Sequence, residues 1–507
     1  MGDESDLSEQ LMAAAELLEA VSADRSLLDG LTAEDRIRFL NAAADAFEPD
    51  VDARRRQTKA RRRQEKHAKL RRDEGVLTDT GIRRLRAKPV FMTPNVFPPE
   101  ELDEQTVDDE ATAPAGGPRT GEEQHCYVCK RKYTEIHHFY DQLCPTCADV
   151  SFVKRTETAD LRGRVALLTG GRVKIGYQAG IKLLRAGASL IVTTRFPRDA
   201  ALRYSQEDDF DDWCHRLEVY GLDLRHTPSV ESLCRHLCAS APRLDYIVNN
   251  ACQTVRRPPA FYEHMLELET AAADGLPARA LALLGGVDGV RAPDLLGGRA
   301  PALVERVAPS AELSQRMLLP GDADPPSRLF PAGALDQDLQ QVDLRDRNSW
   351  RLTLSEVSSV ELLETQLVNA VAPFVLNARL KPLLMRTPER DKHIVNVSAV
   401  EGQFYRRFKT TRHPHTNMAK AALNMMTRTS AAEYHADGIH MNSVDTGWVS
   451  DEDPVAIAAQ KRAEHRFHPP LDIVDGAARI VDPIITGANT GVHVWGQFLK
   501  DFTTTDW

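Results

Sequence analysis

Short apolar runs and longer segments of helical periodicity alternate along most of the chain after residue 160. Val165 to Thr169 is an unbroken apolar run closed by glycines, and reads as a buried strand. Further strands are predicted over 189–194, 217–224, 245–251, 392–398, 438–444 and 491–495. Between them, 175–184, 229–240, 355–384 and 415–434 carry apolar positions every third or fourth residue and are predicted as helices. Strands that alternate with helices form a parallel sheet covered on both faces. The predicted fold is therefore α/β, a doubly wound parallel seven-stranded sheet.

The first third has a different pattern. Leu11, Ala14, Leu17, Leu18 and Val21, then Ile37, Leu40, Ala43 and Phe47, recur at helical spacing, and Thr32 with Asp35 resembles a capping box. Residues 54–72 are densely basic on a background of helix formers, without aromatic residues to stack on bases. Residues 97–124 are rich in Pro, Glu, Asp, Thr and Gly and cannot bury enough apolar surface to pack. These shifts divide the chain into a helical region with a basic helix at 1–96, a linker at 97–124, a cysteine-bearing module at 125–155 and the α/β domain at 156–507. An insertion of about 253–350 interrupts the last.

Composition narrows the function classes. The 507 residues carry a net charge of −10, so the chain as a whole is not built to coat a polyanion. No apolar run approaches the length of a membrane span, and the acidic start has no signal-peptide profile, so a cytoplasmic protein is expected. Four of the eight cysteines form two close pairs, Cys126 with Cys129 and Cys144 with Cys147. Two such pairs supply four thiolates to a tetrahedral ion and leave no open position, which predicts a structural zinc.

Gly170 and Gly171 follow the first strand, and Ile175 and Gly176 open the helix after it. A strand, a glycine turn and a helix N-terminus form a cradle for phosphate, because free backbone N–H groups face the anion. Arg172 and Lys174 lie inside that turn, and Thr194-Arg195 ends the second strand where a fold preferring NAD places an acid. Three cations there favour the 2′-phosphate of NADP over NAD.

The order Thr169-Gly170…Gly176, Asn249-Asn250-Ala251, Asn369, Asn396-Val397-Ser398, Lys420 and Asn442-Ser443-Val444-Asp445-Thr446-Gly447 resembles the short-chain dehydrogenase/reductase family over roughly 161–502. The resemblance implies a Rossmann-like fold and hydride transfer between NADP and a carbonyl or alcohol carbon. It assigns the cofactor to Thr169, Gly170, Gly171, Arg172, Lys174, Ile175, Gly176, Thr194, Arg195, Asp223, Leu224, Asn250, Ala251, Lys420, Thr446 and Gly447. Asn369, Ser398 and Lys420 match three of four catalytic positions.

The fourth position departs from the family. Thr416 stands four residues before Lys420, where the family has a tyrosine, and a threonine hydroxyl is far too weak an acid to replace a phenol. His415, His413 and Tyr405 are the candidate replacements; the alternative is an NADP-holding scaffold or sensor without family-type catalysis. Lys174 also stands where the family has its middle glycine. Arg256 and Arg257, at the start of the insertion, are candidates for anion binding. The resemblance further implies a homodimer or homotetramer through helices 355–384 and 415–434. A protein partner is expected at the N-terminal helices or the insertion; nucleic acid is not. The substrate, a small molecule or a macromolecule, is not specified by any motif.

Overall fold

The computed structural model describes residues 3–47, 51–91, 93, 117–270, 275–285, 309–322, 327–405 and 409–507. It divides into two compact units, Met1–Gly75 and Val76–Trp507. The first holds helices Asp3–Ala23 and Ala33–Phe47 and most of Val51–Thr78. The expected Thr32 cap is formed: its Oγ1 accepts the Asp35 N–H at 3.2 Å and donates to Asp35 Oδ2 at 2.7 Å. On the basic helix, Arg61 pairs with Glu65 one turn on at 3.4 Å, an exposed pair of small energetic weight. No helix among the described residues is long and apolar enough to cross a membrane.

In the second unit, strands β1 (Arg119–His125) and β2 (Lys132–Glu135) form an antiparallel ribbon. Strand β1 takes up the end of the expected 97–124 linker, of which 97–116 lie outside the described residues. The main sheet is built from β3 (Val165–Thr169), β4 (Ser189–Thr194), β5 (Leu217–Gly221), β6 (Tyr246–Asn249), β7 (Lys392–Ser398), β8 (Ile439–Asp445), β9 (Phe498–Lys500) and β10 (Thr503–Thr505). Their order is β5-β4-β3-β6-β7-β8-β9-β10, parallel throughout except for β10. This is a Rossmann-like doubly wound sheet. The chain runs outward from β3 to β5 and then crosses back to β6, which puts the topological switch point, the usual ligand crevice, between β3 and β6.

Adjacent strand residues serve opposite faces of the sheet. Leu168, Val192 and Val248 pack with Leu183, Ile480 and Ile484 from helices Lys174–Arg185 and Ile473–Thr490. Leu167, Ile191 and Ile247 pack with Leu233 and Leu380 from helices Thr227–Ser240 and Ala372–Leu384 on the other side. Near-continuous apolar strands are what burial on both faces requires.

Two details correct the expected elements. The segment 491–495 is not a strand; the seventh parallel strand is β9, and β10 adds an eighth, antiparallel edge. Val494 is held beside β8 by a side chain, Asn442 Nδ2 donating to its O at 2.7 Å, and main-chain bonds begin only past it, with Gly496 N–H to Met441 O at 2.8 Å and Ser443 N–H to Gln497 O at 3.0 Å. The long helix expected at 355–384 is three pieces: Ser359–Gln366, a wider π turn Leu367–Val371, and Ala372–Leu384. Pro373 has no N–H to give the carbonyl of Asn369 four residues back, so the turn opens there.

The described parts of the insertion are packed. Phe261, Tyr262, Met265, Ala311 and Phe330 form an apolar cluster with Phe196 at the end of β4. Residues 271–274, 286–308 and 323–326 of the insertion lie outside the described residues.

Candidate active site

A cavity of about 1480 Å³ opens at the C-terminal ends of β3, β4, β6, β7 and β8. It exceeds the roughly 300–1,000 Å³ usual for a small-molecule pocket, leaving room for a dinucleotide and a second ligand. Its floor is the glycine turn. Gly170 has φ +70°, and a Cβ there would stand 2.9 Å from Ala251 Cα. A Cβ on Gly176 would meet Gly170 O at 2.2 Å and Asn250 Nδ2 at 2.3 Å. Asn250 Nδ2 donates to Thr169 O at 3.1 Å and Gly170 O at 3.2 Å, while Thr169 Oγ1 accepts Ala251 N–H at 3.0 Å. The Asn-Asn-Ala stretch at the end of β6 thus pins the turn that follows β3. Behind it, Asn249 Nδ2 donates to Asn377 Oδ1 and Asn396 Oδ1, each at 2.8 Å, tying β6 to β7 and to helix Ala372–Leu384.

Lys174 occupies the expected glycine position with φ +56°, the left-handed region that favours glycine. The backbone path a glycine would follow is kept, at the cost of strain. Burial pulls its ammonium down, but Glu452, Asp338 and Asp336 outweigh burial and hold it above its ordinary value, so it is charged. Its side chain lines the cavity. The other two cations already have protein partners. Arg172 Nη1 pairs with Asp199 at 2.8 Å and its Nη2 donates to Gln340 Oε1 at 3.1 Å. Arg195 Nη2 donates to Tyr262 Oη at 2.7 Å and packs over the Tyr262 ring. Burial would raise the Tyr262 phenol, yet Arg195, Arg257 and Arg172 around it bring it below its ordinary value. An oxygen carrying negative charge is favoured at that point. Asp223, one of the residues the resemblance assigns to the cofactor, is bound to Arg225, with Nη2 to Oδ2 at 2.6 Å. Thr194, Leu224, Ile175, Gly447 and Thr446 line the same cavity, as do Asp223, Asn250, Ala251 and Gly170. Thr169 and Gly171 do not line it and act through the turn; Tyr204 Oη donates to Gly171 O at 2.9 Å.

Arg256 is not available to an external anion: it is buried, doubly paired with Asp322 at 2.7 Å and bound to Glu364 at 2.9 Å. Arg257 lines the cavity beside Asp343, its ion-pair partner.

At the other end of the cavity stand Ser398, at the tip of β7, and Lys420, about two turns into helix Pro414–Ala436. Lys420 Nζ donates to Val397 O at 2.8 Å, and Ser398 Oγ to Lys420 O at 3.5 Å. Asn369 lies buried on the π turn, and its carboxamide clamps one backbone residue from both sides, accepting Gln253 N–H at 2.7 Å and donating to Gln253 O at 3.1 Å. It holds the wall of the cavity rather than facing it.

The candidate proton donors separate cleanly. Tyr405 is 94% exposed and outside the cavity lining. Thr416 is buried with its hydroxyl unpartnered, and also outside the lining. His415 is buried with neither ring nitrogen hydrogen-bonded, its Nε2 3.7 Å from Glu361. His413 does line the cavity. Its ring lies flat on Trp350 at 3.9 Å and 5°, and its backbone N–H donates to Leu352 O at 2.8 Å. A left-handed φ of +43° turns it inward just ahead of Pro414. Its Nδ1 lies 3.0 Å from Asn417 Oδ1, which can only accept, so Nδ1 carries the proton and Nε2 keeps its lone pair. Trp350, Tyr262 and the carboxylates around Lys174 have no sequence motif that announces them, because each reaches the site from the insertion or the tail.

The four cysteines also converge. All four Sγ atoms lie within 4.8 Å of one another, and Cys129 and Cys144 are 3.7 Å apart. Zinc–thiolate bonds of about 2.3 Å in a tetrahedron place sulfurs about 3.8 Å apart, so the cluster fits a metal ion. The backbone N–H of Arg131 brings the Cys129 thiol down to about 7, whereas burial pushes Cys144 and Cys147 up, so it is the geometry of the four sulfurs that fits an ion.

A family model described as enoyl-(acyl carrier protein) reductase matches residues 348–471. The uncharacterized protein R665 of Acanthamoeba polyphaga mimivirus is 31% identical over 386 residues, 74% of each chain. A short chain dehydrogenase/reductase, dpchH, of Colletotrichum higginsianum is 34% identical over 98 residues, 19% of this chain and 24% of that one. Among solved structures, the RhlG/NADP active-site complex of Pseudomonas aeruginosa aligns with a TM-score of 0.41 and 18% identity, over 67% of this chain and 95% of that one. The family-model match and the dpchH match agree with the strand order, the Asn-Asn-Ala clamp on the glycine turn and the Ser398–Lys420 pair: the chain belongs to the short-chain dehydrogenase/reductase family.

Proposed function

We propose that the chain is an NADP-dependent oxidoreductase in which His413 takes the acid/base role of the family's missing tyrosine. The observation that carries this reading is the orientation of His413: Nδ1 is committed to Asn417, and the ring faces the cavity that also holds Ser398 and Lys420. Bound NADP would supply the hydride acceptor or donor at its nicotinamide. In the oxidative direction His413 Nε2 receives the proton of the substrate hydroxyl as the hydride leaves its carbon; in reduction it returns that proton to the carbonyl oxygen. Ser398 supplies a hydroxyl to hold that oxygen. The 2′-phosphate is assigned to the Arg195–Tyr262–Arg172 group, where negative charge is already favoured, and Lys174 to the neighbouring phosphates. The substrate is an alcohol or carbonyl compound; its class is left to a screen. NADPH consumption against a panel of carbonyl compounds, in native protein and His413→Ala, tests the reading. Turnover that survives in His413→Ala contradicts it.

A second reading, an NADP-holding scaffold, draws on the buried and unpartnered Thr416 at the tyrosine position. It predicts tight NADPH binding with no turnover of any carbonyl compound. We also assign zinc to Cys126, Cys129, Cys144 and Cys147. For assembly, Leu363, Phe374, Met418 and Met425 stay exposed on the two helices expected to join copies, which supports a homodimer or homotetramer. Leu11, Leu17, Ile37 and Leu40 on the N-terminal helices are exposed and would suit a protein partner.

A further inference from the structure

Between β8, which ends at Asp445, and helix Ile473–Thr490 the chain makes an excursion from Trp448 to Leu471. The Leu471 N–H donates to Trp448 O at 3.3 Å, which closes this excursion into a loop with a neck. The loop carries helix Val455–His465, and its Glu452, Asp453 and Lys461 line the cavity. Both sides of the neck are gripped by the cysteine module. Tyr127, between the first two cysteines, accepts the Trp448 N–H on its Oη at 3.0 Å. Leu471 is fully buried in the module's small core with Cys126, Tyr140, Leu143 and Ala148. Gln142 Nε2, from the stretch between the cysteine pairs, donates to His468 O at 2.8 Å. Arg155, on the helix that begins after Cys144, forms a buried two-point pair with Asp472 at 2.6 and 2.7 Å.

Every one of these contacts comes from a segment that runs directly out of a cysteine ligand or lies between two. The module's own apolar core is small, and a tetrathiolate ion would cross-link the segments that carry these contacts. We infer that zinc at the four cysteines sets the position of the loop neck and so controls how firmly the 448–471 loop closes the cavity. The inference rests on the zinc assignment above. The loop in turn reaches the proposed acid/base: Asn348 Nδ2 donates to Glu452 O at 2.8 Å and Arg351 donates to Asp453 at 2.8 Å, on either side of the Trp350 that stacks on His413. Metal occupancy therefore bears on the geometry of the site, without the metal touching any ligand in it.

The test uses the full chain in three states: zinc-loaded, chelator-treated and zinc-restored. Zinc content, amide exchange of peptides within 446–471 and NADPH affinity are measured in each, alongside Cys129→Ser and Tyr127→Phe. Expected are one zinc per chain, exchange in 448–471 at least about tenfold faster after chelation, and recovery on adding zinc back, with exchange at 165–169 unchanged. Tyr127→Phe keeps every thiolate but loses the acceptor for the Trp448 N–H, so it should hold one zinc and still exchange faster at 448–450. A chain that takes up no zinc overturns the metal assignment itself. A chain that holds zinc, with identical exchange at 448–471 in all three states, overturns the control of the neck and leaves the metal site standing. If chelation unfolds the chain, Tyr127→Phe decides: unchanged exchange with zinc bound overturns the inference.

Discussion

The two ends of the cavity meet an unexpected residue in opposite ways. At the cofactor end, Lys174 stands at the expected glycine position and takes a left-handed φ of +56°, in a turn whose Gly170 and Gly176 pack closely against Ala251 and Asn250. At the catalytic end, Thr416 stands where the family has a phenol, and in the proposed reading the acid/base role moves to another residue. Three positions upstream, His413 has a left-handed φ and lines the cavity, backed by Trp350 and Asn417. A close-packed turn can absorb a change of side chain; a proton-transfer site needs a group with the right chemistry, wherever it comes from.

The largest expected effect lies at the catalytic end. His413→Ala should lower kcat by about 10²–10⁴-fold, the usual worth of a general acid/base, with NADPH affinity unchanged in a fluorescence titration. His415→Ala should leave kcat within a few fold, since that ring is outside the cavity lining; the reverse ranking would move the acid/base role to His415.

Next comes the cofactor end. Gly176→Ala should weaken NADPH binding on the order of 100-fold, as its Cβ would drive against Gly170 O and Asn250. Retained affinity would mean the turn is looser than these contacts indicate. Arg195→Asp should weaken NADP by roughly tenfold or more beyond any change for NAD, the scale of one charge-assisted contact. Equal loss for both cofactors would remove the 2′-phosphate from the Arg195–Tyr262 group.

How far each end could be read from the chain follows the same division. Local patterns carried the strands, the glycine turn, the paired cysteines and the Ser398 and Lys420 positions, because each is a short-range consequence of backbone geometry or ligand spacing. What was not legible depends on distant partners. Nothing near Arg172 or Arg195 tells that Asp199, Gln340 and Tyr262 will meet them. Arg256 looked free and is occupied by Asp322 and Glu364. The Val492 and Val494 alternation mimics a strand, but Val494 meets β8 only through the Asn442 side chain, and main-chain pairing starts past it, at Gly496. His413 could not be ranked above His415 and Tyr405 until Trp350 and Leu352 were seen to fix it.

Smaller effects sharpen the comparison. Burial, partly offset by Asn417 and Glu401, holds the His413 imidazole below its ordinary value of 6.5. As a base it must be neutral, so the oxidation rate should stay level as pH falls through 6.5 and drop about tenfold per unit only below the lowered value. A rate that already falls above pH 6.5 would point to another group. Lys174→Gly should relieve the left-handed strain and raise stability by about 1 kcal/mol in thermal denaturation, while NADPH binds more weakly. Loss of stability would mean the lysine is worth more to the fold than its backbone costs.

The most direct measurement is a structure of the NADP complex that places the nicotinamide C4 against His413, Ser398 and Lys420. The account predicts that His413 Nε2 and Ser398 Oγ both lie within about 3 Å of the point where a substrate oxygen would sit beside C4. A nicotinamide whose reactive face is turned to another proton donor, with His413 still packed away on Trp350, would contradict it.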